Sequence, residues 1–303
     1  MVYLFFILAV LTHSLYVIYD GFTSGRRTFG ILGVYYIDYA GLGSLLSFIL
    51  LLYSKGLKKI SYSILFFIIS LGLIITQTRN AWLSTAFAIF TLIIYLFINS
   101  KKVFIKRYIL GLLALLVVGL LIINLTSSGV DVSQRIDVES QSVTLTEDPE
   151  SIGTNSFVSR IMIWHTAIVA FGEHPFIGIG AYAFKHTSQF YYKIPKGFHK
   201  LWVEGRTPHI TFLQVLTETG IVGFVAFLFF IFVLIKLLLK TVKLPKTREE
   251  YIITIMTVWS LVYILFSMMM TESWLYGPYI IWFGILLGLL VNLFKLLSPP
   301  SQY

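Results

Sequence analysis

The sequence predicts an all-α fold: a polytopic membrane helix bundle of about eight transmembrane helices, with one long outer-face loop that contains amphipathic helices. Three observations predict it. The chain of 303 residues is 57% hydrophobic and only 12% charged, whereas a soluble domain carries about 25% charged residues. Apolar runs of about 20 residues, long enough to cross a bilayer as helices, recur along it. One long interruption, at 126–209, begins with a polar and acidic stretch at 126–156 and continues with an aromatic-rich stretch at 157–209.

The apolar runs divide the chain into three parts. We expect N-terminal transmembrane helices 1–5 within 1–125, an extracytoplasmic loop with amphipathic helices at 126–209, and C-terminal transmembrane helices 6–8 within 210–303. No small-residue cleavage site follows the first run, so we expect it to be a retained helix. The spans are predicted at 2–19, 34–53, 60–77, 81–98, 108–125, 210–235, 251–270 and 276–296.

Lysine and arginine are distributed unevenly between the two sides of the predicted bundle. The short loops of one side hold most of them, at 55–59, 101–107, 236–248 and Lys295. Because cytoplasmic loops carry an excess of Lys and Arg, these loops should be cytoplasmic. We therefore expect a multi-pass protein of the cytoplasmic membrane, with both termini in the cytoplasm and the long loop outside.

The composition excludes several kinds of site. The chain has no cysteine, which excludes disulfides and thiolate metal sites. Its histidines are dispersed, and no metal-binding pattern, phosphate loop or dinucleotide fingerprint is present. We expect no metal and no cofactor. The net charge of +9 is explained by the positive-inside rule, so we expect no nucleic-acid partner.

The motif TQTRNAWLS, at 76–84, places Arg79 between two apolar helices with almost no loop. A charge this close to the hydrocarbon is costly and is usually functional or paired. The alternative is an interfacial arginine that snorkels to water, with Trp82 as a membrane anchor.

The segment 157–175 is predicted to be an amphipathic helix that ends before Pro175. Arg160 and Trp164 are four residues apart and share a face of this helix. The indole could pack on the guanidinium and hold it for a ligand phosphate. The alternative is a surface helix with an exposed arginine.

The motif GRTPHITFL, at 205–213, predicts a helix start, with Thr207 as the N-cap and Pro208 at the first helical position. His209 would then lie in the first turn, where the helix dipole attracts anions and favours an uncharged imidazole that can act as a base. The alternative is a polar residue at an interfacial helix end. Glu218 falls on the opposite side of that helix and is interpreted as structural.

Four motifs follow one another along the chain: TRNAWL, R-x-x-x-W, HPFIGIGAYAF and PHITFLQVLTETGIVG. Together they resemble the O-antigen ligase and polymerase superfamily of bacterial membrane glycosyltransferases, from about Arg27 to Gly223. By position, Arg79 matches the family's helix-end arginine, Arg160 its loop arginine and His209 its proposed catalytic histidine. The chain departs from the family in having fewer membrane segments and in carrying Ile210 where an Asn usually follows the histidine.

The resemblance implies the transfer of a glycan from undecaprenyl diphosphate to an acceptor hydroxyl on the outer face of the membrane, with inversion. The implied partners are this lipid-linked donor, a glycan or lipid acceptor, and membrane lipids. Arg79 and Arg160 would neutralise the diphosphate, and His209 would take the acceptor proton. Further substrate contacts are expected from Arg26, Arg27, Trp164, Tyr191, Tyr192 and Trp202.

Two functions of other classes stay open. A lipid-linked oligosaccharide transporter or flippase would need polar residues deep along several helices, whereas the polar signal here gathers at the outer face. In a non-enzymatic polysaccharide-assembly protein, Arg79, Arg160 and His209 would not converge in space.

Overall fold

The computed structural model describes residues 2–24, 28, 30, 32–33, 35–76, 78–99, 156–193, 200, 203–245, 247–270 and 278–298. Within these ranges the predicted all-α fold is confirmed, with helices and no strands. The predicted span at 108–125 and most of the acidic stretch at 126–156 lie outside the described residues. So do three of the expected substrate-binding residues, Arg26, Arg27 and Trp202.

Nine helices lie in the described part of the chain. Those before the predicted loop are α1 (Val2–Ser24), α2 (Tyr35–Tyr53), α3 (Gly56–Ile75) and α4 (Arg79–Asn99). Those within it are α5 (Ser156–Glu173) and α6 (Phe184–Tyr191). Those after it are α7 (Thr211–Thr241), α8 (Arg248–Met268) and α9 (Pro278–Leu297).

Seven of these helices, all except α5 and α6, are long and apolar enough to cross a membrane. The chain is therefore a multi-pass membrane protein. The helices extend past the predicted spans mainly at charged ends: α3 begins at Gly56 rather than residue 60, and α7 continues to Thr241 rather than 235. Lysines end an apolar run, but they are good helix formers and can extend toward water.

The described residues form two compact units. The first contains α1 to α4, the last residues of α7, α8 as far as Ser267, and α9. The second contains α5, α6, the segment 203–210 and α7 as far as Leu237.

The first unit is built around α2, which packs against α1, α3 and α4. The buried Tyr36 hydroxyl donates a hydrogen bond to Ser14 Oγ of α1 at 2.7 Å. Asp38 of α2 is buried as well, and its Oδ1 accepts a hydrogen bond from Ser267 Oγ of α8 at 3.2 Å. A carboxylate inside a membrane helix is expected to be paired or functional, and Asp38 joins α2 to α8.

The second unit has its own apolar core, to which every one of its elements contributes. Partly buried Ile179, Tyr192 and Leu213 pack against this core. A polar bond adds to it, because Thr217 Oγ1 of α7 donates to the Ala167 carbonyl of α5 at 3.2 Å. The fully buried members are Met162, Ile163, Ala167, Phe184 and Val203.

Candidate active site

Helix α5 forms where the sequence predicts it and ends at Glu173, before Pro175. Its buried face includes Met162, Ile163 and Ala167, which recur at helical spacing. Arg160 lies outside this face and is exposed. The core contacts of α5 therefore fix the helix and leave the Arg160 guanidinium accessible to a ligand.

The segment 203–210, which leads to His209, is attached to α5 at two points. Arg206 Nη1 donates a hydrogen bond to Ser159 Oγ at 2.7 Å. Trp164 Nε1 donates one to the Pro208 carbonyl oxygen at 2.9 Å. Arg160 lies between the two attachment points in sequence, one helical turn, about 6 Å along the axis, from Trp164. The structure thus places the residue preceding His209 against the helix that carries Arg160.

His209 is not in the first turn of a helix, and the predicted cap at Thr207 with Pro208 at the first helical position is wrong. Helix α7 begins at Thr211, and its first helical bond runs from the Gln214 N–H to the Ile210 carbonyl at 3.0 Å. His209 has a left-handed backbone with φ 56°, which few residues other than glycine adopt. The Pro208 carbonyl immediately before this turn accepts the hydrogen bond of Trp164 from α5.

The left-handed backbone conformation at His209 is of a kind that is often found at functional sites. Such backbone strain costs on the order of 1–3 kcal/mol, and it persists where the surrounding structure imposes it. The half-buried His209 sits two residues before the positive end of the α7 dipole. The anion-attracting end of the helix that we predicted is therefore close to His209, although His209 is not part of it.

Trp164 has a different partner from the one that its spacing suggests. The indole N–H is used by the Pro208 carbonyl, so Trp164 orients the backbone in front of His209. Packing of its ring on Arg160 stays a prediction.

Glu218 is buried, and its contacts agree with the structural interpretation. Its Oε2 accepts hydrogen bonds from the Tyr182 N–H at 2.9 Å and from Gln214 Nε2 at 3.3 Å. Its Oε1 accepts one from the Phe184 N–H at 3.4 Å. The carboxylate therefore stabilises the turn that precedes α6. The first N–H groups of a helix have no acceptor within the helix, and Glu218 supplies one.

The motif HPFIGIG pairs with a break in α7. At Gly220 the helix is interrupted, with φ 64° and ψ −168°. Four backbone hydrogen bonds of 2.8 to 3.3 Å join residues 175–180 to residues 217–222. A Cβ at Gly178 would collide with the Glu218 backbone, and a Cβ at Gly220 with the Phe176 backbone. Both glycines are therefore required by this close approach.

Two of the expected substrate-binding residues, Tyr191 and Tyr192, lie at the end of α6. The Tyr191 ring meets the His174 ring edge to face, with centroids 5.8 Å apart. Tyr192 packs against the core of the second unit, and burial raises the pKa of its hydroxyl to about 12. Tyr192 is thus a half-buried neutral phenol, while its role toward a sugar stays a prediction.

Arg79 is the first residue of α4 and is exposed. The expected membrane anchor Trp82 also makes a specific contact, because its indole N–H donates to the Leu73 carbonyl of α3 at 3.0 Å. Arg79 belongs to the first unit, while Arg160 and His209 belong to the second. Convergence of all three residues stays a prediction.

Two residues make structural contacts that were not predicted from the sequence. Arg206 lies inside the GRTPHITFL motif, but only the fold pairs it with Ser159. Asp38 could have been found, because a carboxylate within an apolar run is itself a signal. Among the described residues, no group of three or more metal-ligating side chains could hold a metal ion.

The family comparison agrees with the motifs and with the helical fold. A family model described as O-antigen ligase matches residues 64–228. The match takes in more than half of the chain, including Arg79, Arg160 and His209. No individual curated protein matches the chain. Because the family model matches more than half of the chain, this polytopic membrane protein belongs to the O-antigen ligase family.

Proposed function

We propose that this protein is a membrane glycosyltransferase that moves a glycan from undecaprenyl diphosphate to an acceptor hydroxyl, as a ligase or a polymerase. The reaction takes place on the outer face of the cytoplasmic membrane and needs no metal. Membership in the O-antigen ligase family supports the class of reaction. The ligands are a lipid-linked glycan donor, a glycan or lipid acceptor and the surrounding lipids.

One observation supports the assignment of Arg160 and His209 to a common site. The segment that ends in His209 is tied to the helix of Arg160 on both sides of that arginine, through Arg206–Ser159 and Trp164–Pro208. A base and a cation held on one rigid unit are what transfer from a diphosphate requires, since the acceptor and the leaving group must be aligned.

The chemistry follows from these residue types. His209 accepts the proton of the acceptor hydroxyl while the acceptor oxygen forms a bond to the anomeric carbon. The bond from that carbon to the diphosphate oxygen breaks on the opposite face, so the configuration inverts. Arg160 neutralises the charge that develops on the departing lipid diphosphate.

Arg79 is proposed as a second cation for the diphosphate. The support is its position in the TRNAWL motif and its location at a helix start, exposed and next to an apolar span. Arg26, Arg27, Trp164, Tyr191, Tyr192 and Trp202 are proposed to complete the substrate site.

The test is glycan transfer by purified protein in liposomes that contain a lipid-linked glycan and an acceptor. Arg160→Ala should lower the rate about 10²–10³-fold, as the loss of one donor to a developing anion does. His209→Ala should lower it about 10²–10⁴-fold, as the loss of a general base does.

Two matched variants control for a general effect of removing charge or imidazole. His165→Ala, on an exposed position of α5, and Lys58→Ala, on an exposed position of α3, should keep the parental rate. Full activity of Arg160→Ala and His209→Ala would refute the site. Movement of the lipid-linked glycan across the bilayer without its release would indicate a transporter instead.

A further inference from the structure

The turn at Phe176 and Ile177 presents two large apolar side chains that are mostly exposed. Phe176 is 71% exposed and Ile177 is 78% exposed. They lie between Pro175 and Gly178, outside the core of the second unit. Exposed apolar side chains of this size indicate a contact surface for a membrane or for another apolar partner.

The backbone of this turn is held firmly. The Pro175 carbonyl accepts a hydrogen bond from the Ile221 N–H at 2.8 Å, and the Phe176 carbonyl accepts one from the Val222 N–H at 3.3 Å. The turn is thus attached to α7 immediately after its break at Gly220, and the two side chains project from a fixed position.

The break at Gly220 separates two chemically different parts of α7. Before it, Gln214, Thr217 and Glu218 are buried polar residues. After it, the chain is apolar from Ile221 to Ile235. The second part ends at Thr241, so at 1.5 Å per residue it spans about 30 Å, the thickness of the hydrocarbon core of a bilayer. Lys236 and Lys240, near its end, can extend their amines toward water.

Gly220 therefore falls at one edge of the hydrocarbon. The first apolar turn beyond it is exposed, with Val222 at 64% and Val225 at 57%. Backbone groups released by a helix break cannot stay unpaired at this depth. The pairing with residues 175–180 satisfies them, and it places Phe176 and Ile177 at the same level.

We propose that Phe176 and Ile177 insert into the lipid at the edge of the bilayer, where they continue the lipid-facing surface of α7. The occupant of this apolar surface is hydrocarbon from membrane lipids. The insertion fixes the height of α5, with Arg160, and of His209 relative to the membrane surface. The inference does not depend on the proposed reaction.

The chain has no cysteine, so a single introduced cysteine carries a label at one known place. Ile177→Cys and Phe176→Cys would each be labelled with a polarity-sensitive fluorophore in liposomes that contain brominated lipids. Val225→Cys serves as the lipid-facing reference. Lys193→Cys, on a charged position with a side chain 64% exposed, serves as the water-facing reference.

The labels at 176 and 177 should be quenched by brominated lipid to within about twofold of the label at 225, and the label at 193 should not. The free thiols at 176 and 177 should react at least about tenfold more slowly than the thiol at 193 with a maleimide that cannot cross membranes, since lipid excludes it. Labels at 176 and 177 that behave like the label at 193 would overturn the proposal.

A second measurement uses the unaltered chain, in case a cysteine variant does not fold. A lipid that carries a photoactivatable carbene precursor is incorporated into the liposomes, and the adducts are mapped by mass spectrometry. Adducts on Phe176 or Ile177, along with those on Val222 and Val225, are expected. Adducts on Val222 and Val225 alone would refute the insertion.

Discussion

Among single residues, Glu218 has the clearest physical role in the second unit. Its two carboxylate oxygens accept from the backbone N–H groups of Tyr182 and Phe184 and from the Gln214 amide. A buried carboxylate is tolerated only when it is hydrogen-bonded, and these bonds connect α7 to the start of α6. Glu218 is therefore a residue that stabilises the unit rather than a reacting group.

Glu218→Ala should loosen the start of α6. It leaves the Tyr182 and Phe184 N–H groups without their acceptor, at a cost of about 1–3 kcal/mol for the buried Phe184 group and less for Tyr182, which is exposed. Hydrogen–deuterium exchange of peptides covering 180–187 should become faster. Glu204→Ala removes an exposed glutamate and should leave the exchange unchanged, and equal exchange in both variants would contradict the role.

Trp164 donates a hydrogen bond to the residue before His209 and so helps to position His209. Trp164→Phe keeps an aromatic ring on α5 but removes the donor to the Pro208 carbonyl. A neutral hydrogen bond contributes about 1 kcal/mol, so the rate of glycan transfer should fall about fivefold if this bond positions His209. Transfer at the parental rate, in protein of parental thermal stability, would show that the bond is dispensable for positioning.

At the scale of elements, the break in α7 depends on two glycines of different segments. Gly178 and Gly220 both have positive φ, at 69° and 64°, and their backbones lie too close for a Cβ on either. The helix therefore ends its first part where the HPFIGIG turn supplies partners for the freed carbonyl and N–H groups. The turn and the break therefore depend on each other.

Gly220→Ala should destabilise the second unit by at least about 1–3 kcal/mol, the cost of a non-glycine residue held in a strained conformation. The collision with the Phe176 backbone adds to this. Thermal unfolding in detergent would measure the change. Gly172→Ala is the control, because Gly172 lies within α5 and has open space around its position. An unchanged unfolding temperature in Gly220→Ala would disprove the requirement.

At the scale of the whole molecule, the chain combines seven candidate spans in its described part with the shorter helices α5 and α6 and the segment 203–210, which precedes α7. The distribution of Lys and Arg predicts which side each loop faces. The proposed reaction needs Arg160 and His209 on the outer face, so the orientation of the membrane helices is a condition of the function.

Reporter fusions test this orientation. Green fluorescent protein joined after residue 244, between α7 and α8, or after the C-terminus should fluoresce, because it folds in the cytoplasm. Alkaline phosphatase joined after residue 150 should be active, because its disulfides form only outside. The reverse pattern would place the proposed site on the wrong side of the membrane.

The sequence alone was sufficient for the fold class, for the seven candidate spans and helix α5 of the described part, and for the family. Transmembrane helices are recognisable because bilayer thickness sets the length of an apolar run, and α5 was recognisable from the helical spacing of its apolar residues. The motifs around Arg79, Arg160 and His209 were visible because they combine unusual residues within short distances along the chain.

Tertiary structure decided the rest. Helix α7 begins at Thr211, after a Pro208 carbonyl that is bonded to Trp164 of α5. At the break at Gly220, the backbone pairs with the HPFIGIG turn. Backbone hydrogen bonds between distant segments can form with almost any residue type, so the sequence indicates them only through the glycines that allow close approach. The sequence therefore determines which groups are present, while long-range packing determines which of them meet.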